Sequence, residues 1–518
     1  MAKFINISSS FLRRLTLVSC LIAFVILFII ISRTISIISK PNIVTSSIRD
    51  KPLEIEADRT KIHHFSEALK FKTISWTTTR QEKEEILKFI KFIEKSYPTI
   101  HSSQIVEWQV IHNYSLLYKV TGSNQRLKPY MLYGHLDVVP AQSDEWNEPA
   151  FEGKIVNNEF IYGRGTIDNK NTVIGVLEAL EHRLINGDLP VRSFYIGFGH
   201  DEEVGGHHGA ANIARLFKSQ GVKLEFLLDE GMMVTDGIMP GIKRPVAIVG
   251  VTEKGMLTLN LSVTTAGGHS SMPPRETGIG ILAAAINRLE SNPHPSRIGF
   301  SVEKQTFESL ASQMNFLGAV VMSNLWLFKP LLSWKMSGIQ AGNAQIRTTT
   351  AVTMFHAGTK VNVLASKASA IVNHRVHPSQ TLEEVLEFDK SIINDERVKI
   401  EKMSDWSRGP FPVSPCDEQS FGFQTVKSSI HQIFHKKNVF VIPGILVGNT
   451  DSEHFMEFTS NIYRFTPTYL YRGDENRFHG KNERMSIENF EETMNFYLEL
   501  MKLADRDKLP PPHQHPEL

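Results

Sequence analysis

Metal-type ligands crowd into five short segments of this chain. The first is Gly134-His135-Leu136-Asp137, where an H-x-D pair on a strand sends both side chains to one face. Asp137 can then fix the tautomer of His135, although a satisfied surface pair would look the same. The second is Gly163-Arg164-Gly165-Thr166-Ile167-Asp168-Asn169. There Asp168 is either a ligand or a simple helix N-cap, and the glycines lack the spacing of a phosphate loop. The third, His200-Asp201-Glu202-Glu203, ends a buried strand with three carboxylates in a row. Such crowding disfavours mutual ionisation and asks for a cation, unless the loop is solvated. Leu227-Leu228-Asp229-Glu230 and Phe478-His479-Gly480-Lys481-Asn482-Glu483 complete the set. Histidine and carboxylate without thiolate suit zinc or a similar divalent ion. Two ions sharing a carboxylate would polarise a carbonyl and supply hydroxide, and a further carboxylate could move the proton.

Strands alternating with helices must position these segments. Short apolar runs at Pro129–His135, Ser193–Gly199 and Glu225–Leu228 have the profile of buried strands. Helical patterns occupy about 60–72, 82–97 and Thr172–Glu181. The expectation is an α/β domain with a mostly parallel central sheet and its site at strand ends. From Thr252 the pattern becomes βαββαβ, a smaller α+β lid inserted into that domain. The expected divisions are 53–251 and 409–505 for the two parts of the catalytic domain, 252–408 for the lid and 506–518 for a tail. Within the lid, Asn315 to Trp334 is unusually apolar; it either fills the lid core or forms a groove for a long acyl chain. Lys329 and Pro330 argue against a second membrane span.

The composition excludes several classes. Its 518 residues, 41% apolar and 21% charged, describe a folded chain too long for one core. A net charge of +1 offers no basic excess, which excludes nucleic acid as a partner. Cys20 and Cys416 are the only cysteines, so neither a disulfide scaffold nor a thiolate metal cluster can form. Residues 15–32 form an uncharged apolar run preceded by Lys3, Arg13 and Arg14. This suits either a type II signal anchor, with residues 1–14 cytosolic and 33–52 a stalk, or a cleaved signal peptide. Either would send the bulk of the chain into the secretory pathway and open Asn113 and Asn260 to glycosylation, leaving Asn6 unmodified.

Taken together, the five segments resemble the co-catalytic zinc peptidase family of carboxypeptidase S and aminoacylase. The resemblance runs from about residue 53 to 505. It implies two zinc ions, with His135, Glu203, Asp229 and His479 as ligands and Asp168 as the bridge. Asp137 would orient His135, and Glu202 would be the general base and acid. Gly268-His269-Ser270-Ser271 resembles the lid motif whose histidine stabilises the oxyanion, often in a partner subunit of a lid-mediated homodimer. Asn373-His374-Arg375 resembles the lid segment whose arginine grips the substrate carboxylate, and Asn362 matches an asparagine of that surface. Two stretches, Trp326 to Leu332 and Gly448-Asn449-Thr450-Asp451-Ser452, resemble the branch acting on N-fatty-acyl amino acids. A departure is Glu453-His454 where the family often carries arginine, and His454 rivals His479 as the last ligand. The implied activity is hydrolysis of N-acyl amino acids, or its reversal in synthesis. A carboxypeptidase S-like peptidase is the enzymatic alternative, and an inactive membrane-anchored binding protein is the other.

Overall fold

The computed structural model describes residues 9–39, 53–142 and 146–506. Asn6, the Pro41–Pro52 part of the expected stalk and the tail from residue 507 lie outside them. The central sheet uses β1 (Val106–Ile111), β2 (Ser115–Val120), β3 (Tyr130–His135), β4 (Phe194–Gly199), β5 (Leu227–Asp236) and β6 (Val246–Glu253). The lid contributes β7 (Gly255–Thr264), β8 (Thr349–Ala357), β9 (Lys367–Val376) and β10 (Lys399–Lys402). The chain then returns to the large sheet with β11 (Phe440–Leu446) and β12 (Ile462–Tyr471).

The eight strands are ordered β11-β6-β12-β5-β3-β4-β2-β1. Neighbours β12, β5, β3 and β4 run parallel, and antiparallel pairs flank them. β3 and β4 are buried along their whole length, which is why their apolar runs do not alternate. Helices α2 (Arg59–Ala68), α3 (Lys83–Ser96) and α4 (Lys170–Ile185) join a single large core, as do α11 (Phe421–Ile433) and α12 (Ile487–Ala504). The expected helix at Thr172 to Glu181 is therefore longer at both ends, and the strand at Glu225 continues to Asp236.

The lid sheet is antiparallel, in the order β8-β9-β7-β10. Helices α5 (Gly278–Ser291) and α10 (Leu382–Ile393) cover its apolar face, and Thr381 and Glu384 close a capping box on α10. Between α5 and β8 stand α6 (Glu303–Ala311), α7 (Phe316–Ser323), α8 (Leu325–Ser337) and α9 (Gln340–Ile346).

Helix α1 (Ser9–Ile38) is the single unbroken helix among the described residues long and apolar enough to cross a membrane. It carries the first six residues expected in the stalk, because Arg33 to Ile38 contains no helix breaker and Pro41 comes only later. Sequon Asn113 lies exposed in the turn between β1 and β2, whereas Asn260 sits in β7, paired on both sides.

Candidate active site

The five segments meet at the C-terminal ends of β3 and β4, beside the first residues of β5, the expected place for a ligand in such a sheet. His135 is the last residue of β3, and Glu202 and Glu203 follow β4 in a short turn. Asp168 precedes α4, whose cap position belongs to Asn169, so the N-cap alternative does not hold. Gly134 makes room here: a Cβ on it would sit 2.5 Å from Asn169 Oδ1. That oxygen accepts the His135 backbone N–H.

Three overlapping groups of ligand atoms form here, His135 with Asp168 and Glu230, His135 with Glu202 and Glu203, and Asp168 with Glu203 and His479. His135 Nε2 lies 2.9 Å from Asp168 Oδ1 and 3.2 Å from Glu230 Oε1. His479 Nε2 lies 2.7 Å from Asp168 Oδ2 and 3.4 Å from Glu203 Oε2. His135 Nδ1 is turned the other way, 2.9 Å from the Asp137 carbonyl and 3.4 Å from its carboxylate. This leaves Nε2 to face the carboxylates, as a ligand nitrogen must. The Asp137 carboxylate also accepts the backbone N–H groups of Glu202 and Glu203. One buried side chain thus positions both the histidine and the acidic turn.

The electrostatics fit a cation-holding site. Burial, then Asp168, pushes Glu203 up to about 7, and burial pushes Glu230 up to about 8. Glu202 is driven well above the ordinary carboxylate range by burial and then by Glu230. Burial would also raise Asp168, but hydrogen bonds with His135 and His479 outweigh it and hold the carboxyl low. Four carboxylates against two imidazoles leave an excess of negative charge in a dry place. Divalent ions among these oxygen and nitrogen donors would neutralise it.

Asp229 stands just outside these groups, with its Oδ2 buried and without a hydrogen-bond partner. Adjacent residues on a strand point to opposite faces, so β5 can send only one of Asp229 and Glu230 into the cluster. It sends Glu230, beside His135. Asp229 Oδ1 accepts the Glu230 N–H, and burial lifts its carboxyl to about 6. His454 is also outside these groups, with Nε2 3.1 Å from the Gly205 carbonyl.

Sequence reasoning missed Arg164 and Glu483. Buried Glu483 accepts the N–H groups of Gly165, Ile167 and Asp168, and pairs with Arg164 at 2.6 Å. Arg164 also donates to the carbonyls of His479 and Gly480. This pair locks the Asp168 loop to the His479 loop. Both residues stand inside the quoted segments, but nothing in the order of residues reveals that they meet.

The lid residues are placed differently. Arg375 on β9 is largely buried and hydrogen-bonds Asn449. Among the described residues no carboxylate ion-pairs with it. His269 and Asn362 come together at an exposed tip, where Gly268–His269 pairs with Val363–Leu364 and Ser270 N donates to Asn362 O. Neither joins the carboxylate cluster of its own chain.

Comparisons with known proteins give the family and the fold. The family model described as Peptidase family M20/M25/M40 matches residues 131–503. The N-fatty-acyl-amino acid synthase/hydrolase of Xenopus tropicalis is 47% identical over 86% of this chain and 86% of its own. A Dictyostelium discoideum protein described as "Probable carboxypeptidase S-like 2" is 40% identical over 85% of this chain and 84% of its own. The crystal structure of an M20 family metallo-carboxypeptidase from Sulfolobus solfataricus superposes with a TM-score of 0.63. It covers 86% of this chain and 99% of that one at 18% identity, a likeness of fold.

Proposed function

Because the chain belongs to peptidase family M20/M25/M40, the metal-dependent hydrolases of amide bonds, we propose that it cleaves N-fatty-acyl amino acids and, in reverse, joins a fatty acid to an amino acid. The observation that carries the substrate is the 47% identity, along nearly the whole folded chain, to an N-fatty-acyl-amino acid synthase/hydrolase. His135, Asp168, Glu203, Glu230 and His479 are the residues that would hold zinc. Zinc bound there supplies Lewis acidity to the scissile carbonyl and lowers the pKa of water.

The remaining chemistry belongs to the side chains. Arg375, a desolvated guanidinium whose nearest partner is the neutral Asn449, grips the free carboxylate of the amino acid. Glu202 takes a proton from the attacking water and delivers it to the amide nitrogen as the C–N bond breaks. The products are a fatty acid and an amino acid. A carboxylate with a raised proton affinity suits a group that must accept a proton and pass it on. His269, exposed at the lid tip with Asn362, serves the oxyanion of a second subunit. The exposed edge strand β8 beside that tip suits a homodimer formed through the lid. Helix α1 acts as a retained anchor that leaves the catalytic domain on the lumenal or extracellular side.

The carboxypeptidase reading uses the same machinery and is supported by the 40% identity to the Dictyostelium protein. Catalytic efficiency on N-acyl-phenylalanines of increasing chain length, against dipeptides, separates the two. Efficiency that rises with chain length supports the fatty-acyl substrate; a flat series with dipeptides cleaved best overturns it.

A further inference from the structure

Helices α7 and α8 form a bent pair, turning 108° at Asn324. The inner side is already packed: Leu325 and Leu332 sit on Ile298, Phe307 and Ile346. The outer side carries Phe316, Leu317, Trp326, Leu327, Leu331 and Trp334. Leu317 is 75% exposed and Trp334 76%, so part of this apolar stretch lies outside the lid's packed interior. No Asp or Glu occurs between Glu308 and Glu383, and the charges on the pair are Lys329 and Lys335. Aromatic and aliphatic side chains with lysines and no carboxylate suit a membrane interface.

The position of α1 says which surface that is. Asn324 Nδ2 donates to Thr34 Oγ1 at 3.0 Å, Arg33 Nε donates to Ser323 O at 2.7 Å, and Arg33 pairs with Glu308 at 2.6 Å. Ile30 and Thr34 are buried by this contact, while the apolar residues Leu15 to Ile29 stay exposed along the helix. Ile30 stands two residues before the end of the apolar run, about 3 Å at the helical rise. The α7–α8 pair is therefore held at the depth where a bilayer crossed by α1 would end.

We propose that the outer face of α7 and α8 rests in the lipid interface of the same bilayer that α1 crosses. The inference depends on the reading of α1 as a retained anchor. Its consequence is that the lid insertion is seated on lipid and connected to the site. Lys254 Nζ donates to the carbonyls of Ala344 and Arg347 at the end of α9, and Asn449 joins the Lys254 carbonyl to Arg375.

The test uses the full chain, confirmed by mass to retain its N-terminus and reconstituted into phosphatidylcholine vesicles with or without bromine at mid-chain. Helix α1 has no tryptophan, so quenching reports on the six in the rest of the chain. Bromination should quench the fluorescence, and most of the quenching should vanish in a Trp326→Phe/Trp334→Phe chain that melts at the wild-type temperature. Single replacements should each remove part of it. Absence of quenching in the retained chain, or undiminished quenching in the double variant, would overturn the proposal. A second copy covering the face would produce the first of these, together with a dimer in detergent. Cleavage is read separately: a chain that has lost α1 and washes off membranes at alkaline pH refutes the anchor and the proposal with it, whereas missing quenching in a retained chain refutes the lipid seat alone.

Discussion

Two buried clusters of histidine and carboxylate stand among the described residues, and they balance charge in opposite ways. In the lid, Asp389 stands between His294 and His374, at 3.2 and 2.8 Å. One carboxylate faces two imidazoles, and hydrogen bonds with both hold Asp389 below the ordinary carboxylate range despite its burial. At the strand ends Asp168, Glu202, Glu203 and Glu230 face only two imidazoles, and three of the four are pushed upward. The residue types are the same. The excess of carboxylates at the strand ends suits cations, whereas the lid trio sets one carboxylate against two imidazoles.

The largest expected effect tests the base. Glu202→Gln should lower turnover by about 10²- to 10⁴-fold, the usual worth of a general base, with zinc content unchanged. Turnover near the wild-type value would reassign the proton carrier. Next in size is the choice between strand neighbours. Glu230→Gln should reduce bound zinc, measured by elemental analysis of the dialysed protein, and activity should fall with it. Asp229→Asn should leave most of the metal in place; metal loss confined to the Asp229 variant would reverse the assignment.

The smallest effect is expected in the lid. Asp389→Asn should cost on the order of 2 kcal/mol, the scale of hydrogen bonds to a charged group, and leave zinc content alone. Loss of metal in this variant would make the trio a third ligand site and dissolve the contrast between the clusters. The same variant carries a pH signature. The folded state holds Asp389 ionised at pH values where the unfolded chain would bind a proton. Its stabilisation is therefore present above the ordinary carboxylate pKa and is lost as pH falls through the lower folded value. Acid unfolding of the Asn variant should lack that component, seen as a shallower decline of melting temperature on the acid side.

Much of this was legible because it is local or periodic. The buried runs ending at His135 and Gly199 announced parallel strands, and the βαββαβ order announced the lid. Less legible were contacts that depend on which face a residue occupies. Asp229 and Glu230 are equivalent as letters, and the register of β5 against β3 and β12 separates them. The apolar stretch from Asn315 to Trp334 read equally as core or groove, and the structure puts much of it on an outer surface.

The sequence by itself determined the chemistry on offer: histidines and carboxylates with no thiolate to compete, segments placed at strand ends, and an apolar helix at the start of the chain. Side-chain type and short-range periodicity are properties of the residues themselves, so they survive without a fold. The tertiary structure decided which atoms meet. It set Asp168 between His135 and His479, placed Glu230 beside His135, and brought Glu483 and Arg164 together to clamp two loops. It also left His269 at an exposed tip, away from the cluster of its own chain. Those outcomes depend on register, burial and the crossing of segments hundreds of residues apart, and the order of residues alone encodes none of them locally.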